Sequence, residues 1–156
     1  MVLKALLVVL TAVVLGGCDR GGGAGTQPPG KAASPAAQPA ADAETLALGA
    51  RVYARNCARC HGPRAEGDFQ WRRRTPEGRY RPPPLDGTGH AWHHPLDVLR
   101  RVIREGGPPG QSDMPAWGDR LSPQEIDAVI AWFQSRWPPE IRQAWERRNA
   151  ASGRPR

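Results

Sequence analysis

Cys57-Ala58-Arg59-Cys60-His61 is the stretch on which the reading of this chain turns. Its C-x-x-C-H pattern is the attachment signature of a c-type haem. Two thiols add across the two vinyl groups of one porphyrin, so their spacing has to fit the macrocycle. The histidine directly after the second thiol can swing its imidazole under the iron as the proximal ligand. Two rival readings share these residues. A redox-active dithiol belongs beside a β-α-β pattern, and nothing in the sequence reads as one. A structural zinc site needs four nitrogen or sulfur ligands, which would have to come from distant histidines because there is no second C-x-x-C. The motif favours one covalent haem c, held by Cys57 and Cys60 with His61 on the iron.

The chain has three cysteines, so no further pair is left for a disulfide framework. The third, Cys18, has its own explanation. Lys4 precedes an apolar run from Ala5 to Leu15, and Gly16-Gly17 leads into Cys18. That is the layout of a signal peptide over residues 1–17. As a helix the run spans roughly 16 Å, too short for the ~30 Å hydrocarbon core of a bilayer. Leu15-Gly16-Gly17-Cys18 resembles a bacterial lipobox, in which the cysteine is lipidated and becomes the mature N-terminus. The alternative is a soluble periplasmic protein with a stray thiol, an oddity in an oxidising compartment. Lipidation of Cys18 and a place on the periplasmic side of the bacterial cytoplasmic membrane are therefore expected. Asp19 resembles the residue that retains lipoproteins in the inner membrane of some enteric bacteria.

From residue 18 to 43 the chain is Gly, Pro, Ala, Ser and Gln with almost no large apolar residue. Such a segment cannot bury a core and reads as a disordered tether. As a flexible coil it reaches roughly 25–30 Å, and its prolines stretch it further.

The folded domain is expected over residues 44–138, with helical periodicity and little strand signal. Leu46, Gly49, Val52 and Tyr53 share one face of a first helix that runs into the motif. A second helix is expected from Pro95, at its first position, to Glu105, with Leu96, Leu99, Val102 and Ile103 as the buried stripe and Gly106 closing it. Ser122-Pro123-Gln124-Glu125 is a capping box with proline in the first turn. It opens a third helix with Ile126, Val129, Ile130 and Phe133 on its apolar face. Pro138-Pro139 reads as its end. Residues 139–156 read as a short helix through Ile141 and Trp145, then a disordered tail.

Met114 is the second candidate on the iron. It is the one methionine left after the signal peptide, and Pro115 follows it. It sits in an extended loop between apolar stripes, whereas a core methionine belongs on one. A thioether is a soft ligand suited to low-spin haem iron, and Met/His ligation raises the reduction potential. Trp92 and Trp117 are candidate walls of the haem pocket, where large apolar rings bury well. His90, His93 and His94 open a different alternative, copper handling or a second axial ligand. The bland account of them is a loop leading into the second helix. Phe69, Trp71 and Tyr80 lie in a long loop whose role is open.

A first helix running into C-x-x-C-H, a Pro83-Pro84-Leu85 loop, Met114-Pro115 and a C-terminal amphipathic helix together resemble a class I c-type cytochrome. The resemblance covers about Glu44 to Trp137. It implies an all-α, cytochrome c-like fold around one haem, with His and Met axial ligands. It also implies that a backbone carbonyl, here of Pro83, orients the proximal imidazole; Pro63 is the other candidate. Gly49 and Tyr53 match the positions at which the first helix crosses the last.

Net charge is +7, and nearly all of the positive residues are arginines. Arg72, Arg73, Arg74, Arg79 and Arg81 cluster in one loop. Such a patch can steer an acidic redox partner, lie against anionic lipid, or be a solvated surface. Nucleic acid is excluded as a partner by the secretory reading. With both axial positions of the iron filled, no position is open for substrate. A membrane-tethered electron carrier in a bacterial respiratory or related redox chain is then the expected function, without enzymatic activity. A five-coordinate haem sensor or catalytic haem module is the competing class.

Overall fold

The computed structural model describes residues 41–153. The signal peptide, Cys18, the tether up to residue 40 and the last three residues lie outside them. Regular structure among the described residues is helical: α1 (Ala43–Asn56), α2 (Ala58–His61), α3 (Leu96–Glu105), α4 (Pro123–Gln134) and α5 (Pro139–Ser152), with a 3₁₀ turn at Ala91–His93. Among the described residues extended pairing is confined to two isolated bridges, Arg74 with Tyr80 and Tyr80 with Ser112. The fold is all-α.

Asp42 caps α1, its carboxylate accepting the N–H of Thr45 at 2.7 Å. The buried stripe Gly49, Val52 and Tyr53 then crosses α4. Glycine is required at the crossing. A Cβ on Gly49 would overlap the carbonyl of Ala128 and the Cβ of Trp132, so any side chain there forces the helices apart. The Tyr53 and Trp132 rings meet beside it with centroids 4.2 Å apart. Val52, Ile126, Val129, Ile130 and Phe133 fill the rest of the core. Each is worth roughly 1.5–3 kcal/mol of burial.

The capping box on α4 is complete: Ser122 Oγ accepts the Glu125 N–H at 3.2 Å, and Glu125 Oε2 accepts the Ser122 N–H at 2.9 Å. Two helix boundaries differ from the sequence reading. Pro95 is the cap before α3, not its first residue. Its extended ψ of 166° keeps it outside the helix. And α4 stops at Gln134, not at Pro138-Pro139. Those prolines begin α5, with one in its first turn, since proline's fixed φ suits a helix start as well as it ends a helix.

α5 returns over the 3₁₀ turn and the start of α3. Trp145 is fully buried, and its Nε1–H donates to the carbonyl of His94 at 2.8 Å. Asn149 Oδ1 accepts the N–H of Leu96 at 2.9 Å. The last helix thus fastens the segment that holds His90, Trp92 and His94.

Candidate haem site

α1 delivers the motif directly. The N–H of Cys57 donates to Tyr53 O at 2.9 Å, ending α1, and those of Cys60 and His61 donate to Cys57 O at 3.1 and 2.9 Å. One tight turn therefore carries both thiols and the imidazole. Cys57 is half-buried, Cys60 is exposed, and both are free thiols. Burial, and the neighbouring charge of Cys60, push the Cys57 thiol up to about 11. It stays protonated at neutral pH. Tyr53 braces the turn from α1, its hydroxyl donating to Gly62 O at 2.7 Å. Burial raises the pKa of that phenol and keeps the donor in place.

His61 is buried, 8% exposed. Its Nδ1–H donates to the carbonyl of Pro83 at 2.8 Å. Among the described residues this is the ring's one hydrogen bond, so the tautomer is set and Nε2 is left uncommitted. Desolvation lowers the pKa of the imidazole, against the opposing effect of the Pro83 carbonyl. A neutral ring with a free Nε2 is the form that binds a metal.

The Pro83 carbonyl is held there by the turn after the motif. Gly67 N–H donates to His61 O at 2.7 Å, Leu85 N–H to Ala65 O at 2.8 Å, and Asp68 N–H to Pro82 O at 2.9 Å. Gly67 has φ +63°, and a Cβ on it would overlap the Pro83–Pro84 peptide. Ala65, wholly buried, also adopts a positive φ of 68°, a strained state for a residue with a Cβ. Trp137 Nε1–H donates to Leu85 O at 2.8 Å and fixes the far end. Gly67, Ala65 and Trp137 were not singled out as site residues in the sequence. No local pattern in His61-Gly62-Pro63-Arg64-Ala65-Glu66-Gly67 marks them.

Met114 is half-buried in the loop after α3. Its N–H donates to Ser112 Oγ at 3.1 Å, and its carbonyl accepts the N–H of Gly107 at 3.0 Å. Tyr80 N–H donates to Gln111 O at 2.8 Å. Arg79 pairs with Asp113 at 2.8 Å, so the arginine-rich loop buttresses the methionine loop. Trp92 and Trp117 are half-buried and packed against the core. Pro63 is exposed, and the carbonyl on His61 is that of Pro83.

The histidines of the 90–94 segment pack on aromatic rings. His90 stacks on Trp71 at 5.4 Å, His94 meets His90 edge-on at 5.4 Å, and His93 lies against Trp92 at 3.8 Å. Among the described residues no group of three or more His, Cys, Asp or Glu side chains is arranged to hold a metal ion by itself. A groove of about 750 Å³ lies between α1, α3 and α4. None of Cys57, Cys60, His61, Pro83 or Met114 lines it, so it is not the haem site.

The donor set fits haem c: two free thiols one turn apart, and beside them an imidazole held by one nitrogen with the other available. Residues 44–133 match the family described as cytochrome c oxidase, cbb3-type, subunit III. Among curated proteins, cytochrome c6 from Bryopsis maxima is 33% identical over 89 residues, covering 56% of this chain and 86% of that protein. No solved structure matches. The chain belongs to the cytochrome c family. It therefore carries one covalently bound haem c and works as an electron carrier, exchanging electrons with redox partner proteins.

Proposed function

We propose that this protein is a membrane-tethered electron carrier in a bacterial respiratory or related redox chain, with its iron held between His61 and Met114. The observation that carries the reading is the 2.8 Å bond from His61 Nδ1 to Pro83 O, which leaves Nε2 free for iron. Cys57 and Cys60 hold the porphyrin covalently. The haem, when bound, supplies a one-electron ferric/ferrous couple. The Pro83 carbonyl orients the imidazole and raises its basicity. Met114 would supply the iron's other protein ligand and keep substrate and small ligands off the metal. Trp92 and Trp117 wall the pocket and keep water from it.

Lipidation of Cys18 anchors the chain on the periplasmic side of the cytoplasmic membrane, and residues 18–41 are the leash, two residues shorter than the sequence reading because Asp42 already caps α1 and Ala43 begins it. The family match to subunit III of a cbb3-type oxidase supports a respiratory setting. The surplus charge of +7 suits partners with acidic docking surfaces.

The test of ligation is the visible spectrum of the ferrous holoprotein with and without carbon monoxide. An unchanged low-spin spectrum, with rapid carbon monoxide binding appearing in Met114→Ala, is the expected result. Rapid binding by the parent at neutral pH overturns the Met114 ligand and favours a sensor or catalytic haem. The test of the anchor is metabolic labelling with a radioactive fatty acid, which should mark the parent and not Cys18→Ser.

A further inference from the structure

The segment from Phe69 to Arg74 is built stiffly and then left uncovered. Phe69 is 90% exposed, the outstanding departure from apolar burial among the described residues. Trp71 beside it anchors the segment, stacked on His90 with the ring planes 18° apart. Arg72 lies over the Trp71 ring, 4.3 Å from its centroid, and Arg74 lies over Tyr80 at 4.0 Å. The base is pinned by Asp68 N–H to Pro82 O at 2.9 Å and by Thr75 N–H to Arg79 O at 2.7 Å. An exposed ring on so constrained a loop is presented, because little entropy remains to be lost on contact.

Charge at the same place is unbalanced. Asp68 pairs with Arg81 and Asp113 with Arg79. Arg72, Arg73 and Arg74, all exposed, make no ion pair with a carboxylate among the described residues. Arg72 and Arg73 share a recess of about 300 Å³ with Phe69 and Gln70. A guanidinium pair beside an apolar ring, around a small open recess, has the chemistry to receive a phosphate next to hydrocarbon.

We infer that Phe69–Arg74 is a docking surface for an anionic phospholipid bilayer. Arginine forks match phosphate oxygens two at a time. An aromatic ring is stable at the boundary between headgroups and acyl chains. An acidic protein surface accounts for the arginines but leaves the protruding ring to find a pocket of its own. The inference draws on the proposed anchor only for the nearness of the bilayer, since a leash turns weak surface binding into an intramolecular event. It does not depend on which residue is the sixth iron ligand.

The experiment removes the anchor and asks whether the loop binds by itself. Holoprotein carrying Cys18→Ser, exported behind a signal peptide that is cleaved without a lipobox so that no apolar leader remains, is sedimented with vesicles of phosphatidylcholine alone, or with one third phosphatidylglycerol, and the haem absorbance of the pellet is read. Retention on the anionic vesicles and not on the neutral ones is expected. Changing Arg72, Arg73 and Arg74 together to Gln should weaken it on the order of a hundredfold. Phe69→Ser should weaken it about tenfold. An unaltered haem spectrum in each variant shows that the fold is intact. No retention of the parent on anionic vesicles overturns the inference, as does equal retention of parent and variants. Slower electron delivery by the triple Gln variant to an acidic soluble acceptor, with vesicle binding unchanged, also overturns it and assigns the loop to a protein partner.

Discussion

Gly67 lies against the Pro83–Pro84 peptide so closely that a single added carbon would overlap it. That approach is what allows the Pro83 carbonyl to reach His61 Nδ1 at 2.8 Å. Gly67→Ala meets two penalties, the positive φ of 63° and the overlap. The first alone costs about 1–3 kcal/mol. Denaturant unfolding of the holoprotein should show at least that loss, together with a shifted reduction potential as the carbonyl moves. A variant that unfolds at the parental midpoint would show that the two segments can separate freely.

Asn149 supplies the cap that Pro95 cannot. α3 has no side-chain cap of its own, and the leading N–H groups of a helix need partners. Asn149→Ala should cost about 1 kcal/mol. Asn149→Asp keeps the acceptor and adds negative charge at the positive end of the helix, so it should stay near the parent. Thermal melts of the three proteins check the order.

Arg79 acts on the methionine loop at one remove. Its pair with Asp113 is well exposed, the side chains being 38% and 70% accessible, so its effect on stability stays below about 1 kcal/mol. Its effect on the neighbouring loop is the better measurement. Arg79→Ala should bind imidazole at the ferric iron faster than the parent. The difference should shrink in about 1 M salt, where the pair is screened. Identical rates at low salt would remove Arg79 from any part in positioning Met114.

Acid should loosen α4 through Glu125. Its carboxylate accepts the N–H and Oγ–H of Ser122, and these bonds lower its pKa below the ordinary 4.5. A group whose folded pKa is depressed contributes stability above its unfolded value and loses it as pH falls through the folded one. The parent should therefore lose its advantage over Glu125→Gln as pH drops below about 4.5. Parallel stability curves for the two proteins through that range would count against the capping box.

Local chemistry was the legible part of this fold. The capping box at Ser122, the helix feeding the motif and the C-x-x-C-H itself are all written in neighbouring residues. The contact of His61 with Pro83 spans 22 residues, and no periodicity encodes it; only the family resemblance pointed there. Two prolines at 138 and 139 looked like a stop because proline is hostile to helix interiors, yet the same ring geometry starts α5. The cap on α3 was invisible for another reason. Its donor and acceptor are separated by 53 positions, and nothing near Pro95 announces that the partner comes from the last helix. Gly67 was passed over because its importance lies in what it leaves room for.

The crossing of Gly49 under Ala128 also fixes an order of events. It joins the beginning of the folded chain to its penultimate helix, so a loop of nearly the whole domain must close before either helix can bury its stripe. Closing so long a loop is slow and entropically costly. The motif at 57–61 is made long before α4 exists. During that interval it belongs to a chain with no core, its two thiols within reach of any machinery that attaches haem. A chain that acquires haem in that state packs its protein around the cofactor, and not the cofactor into a finished pocket.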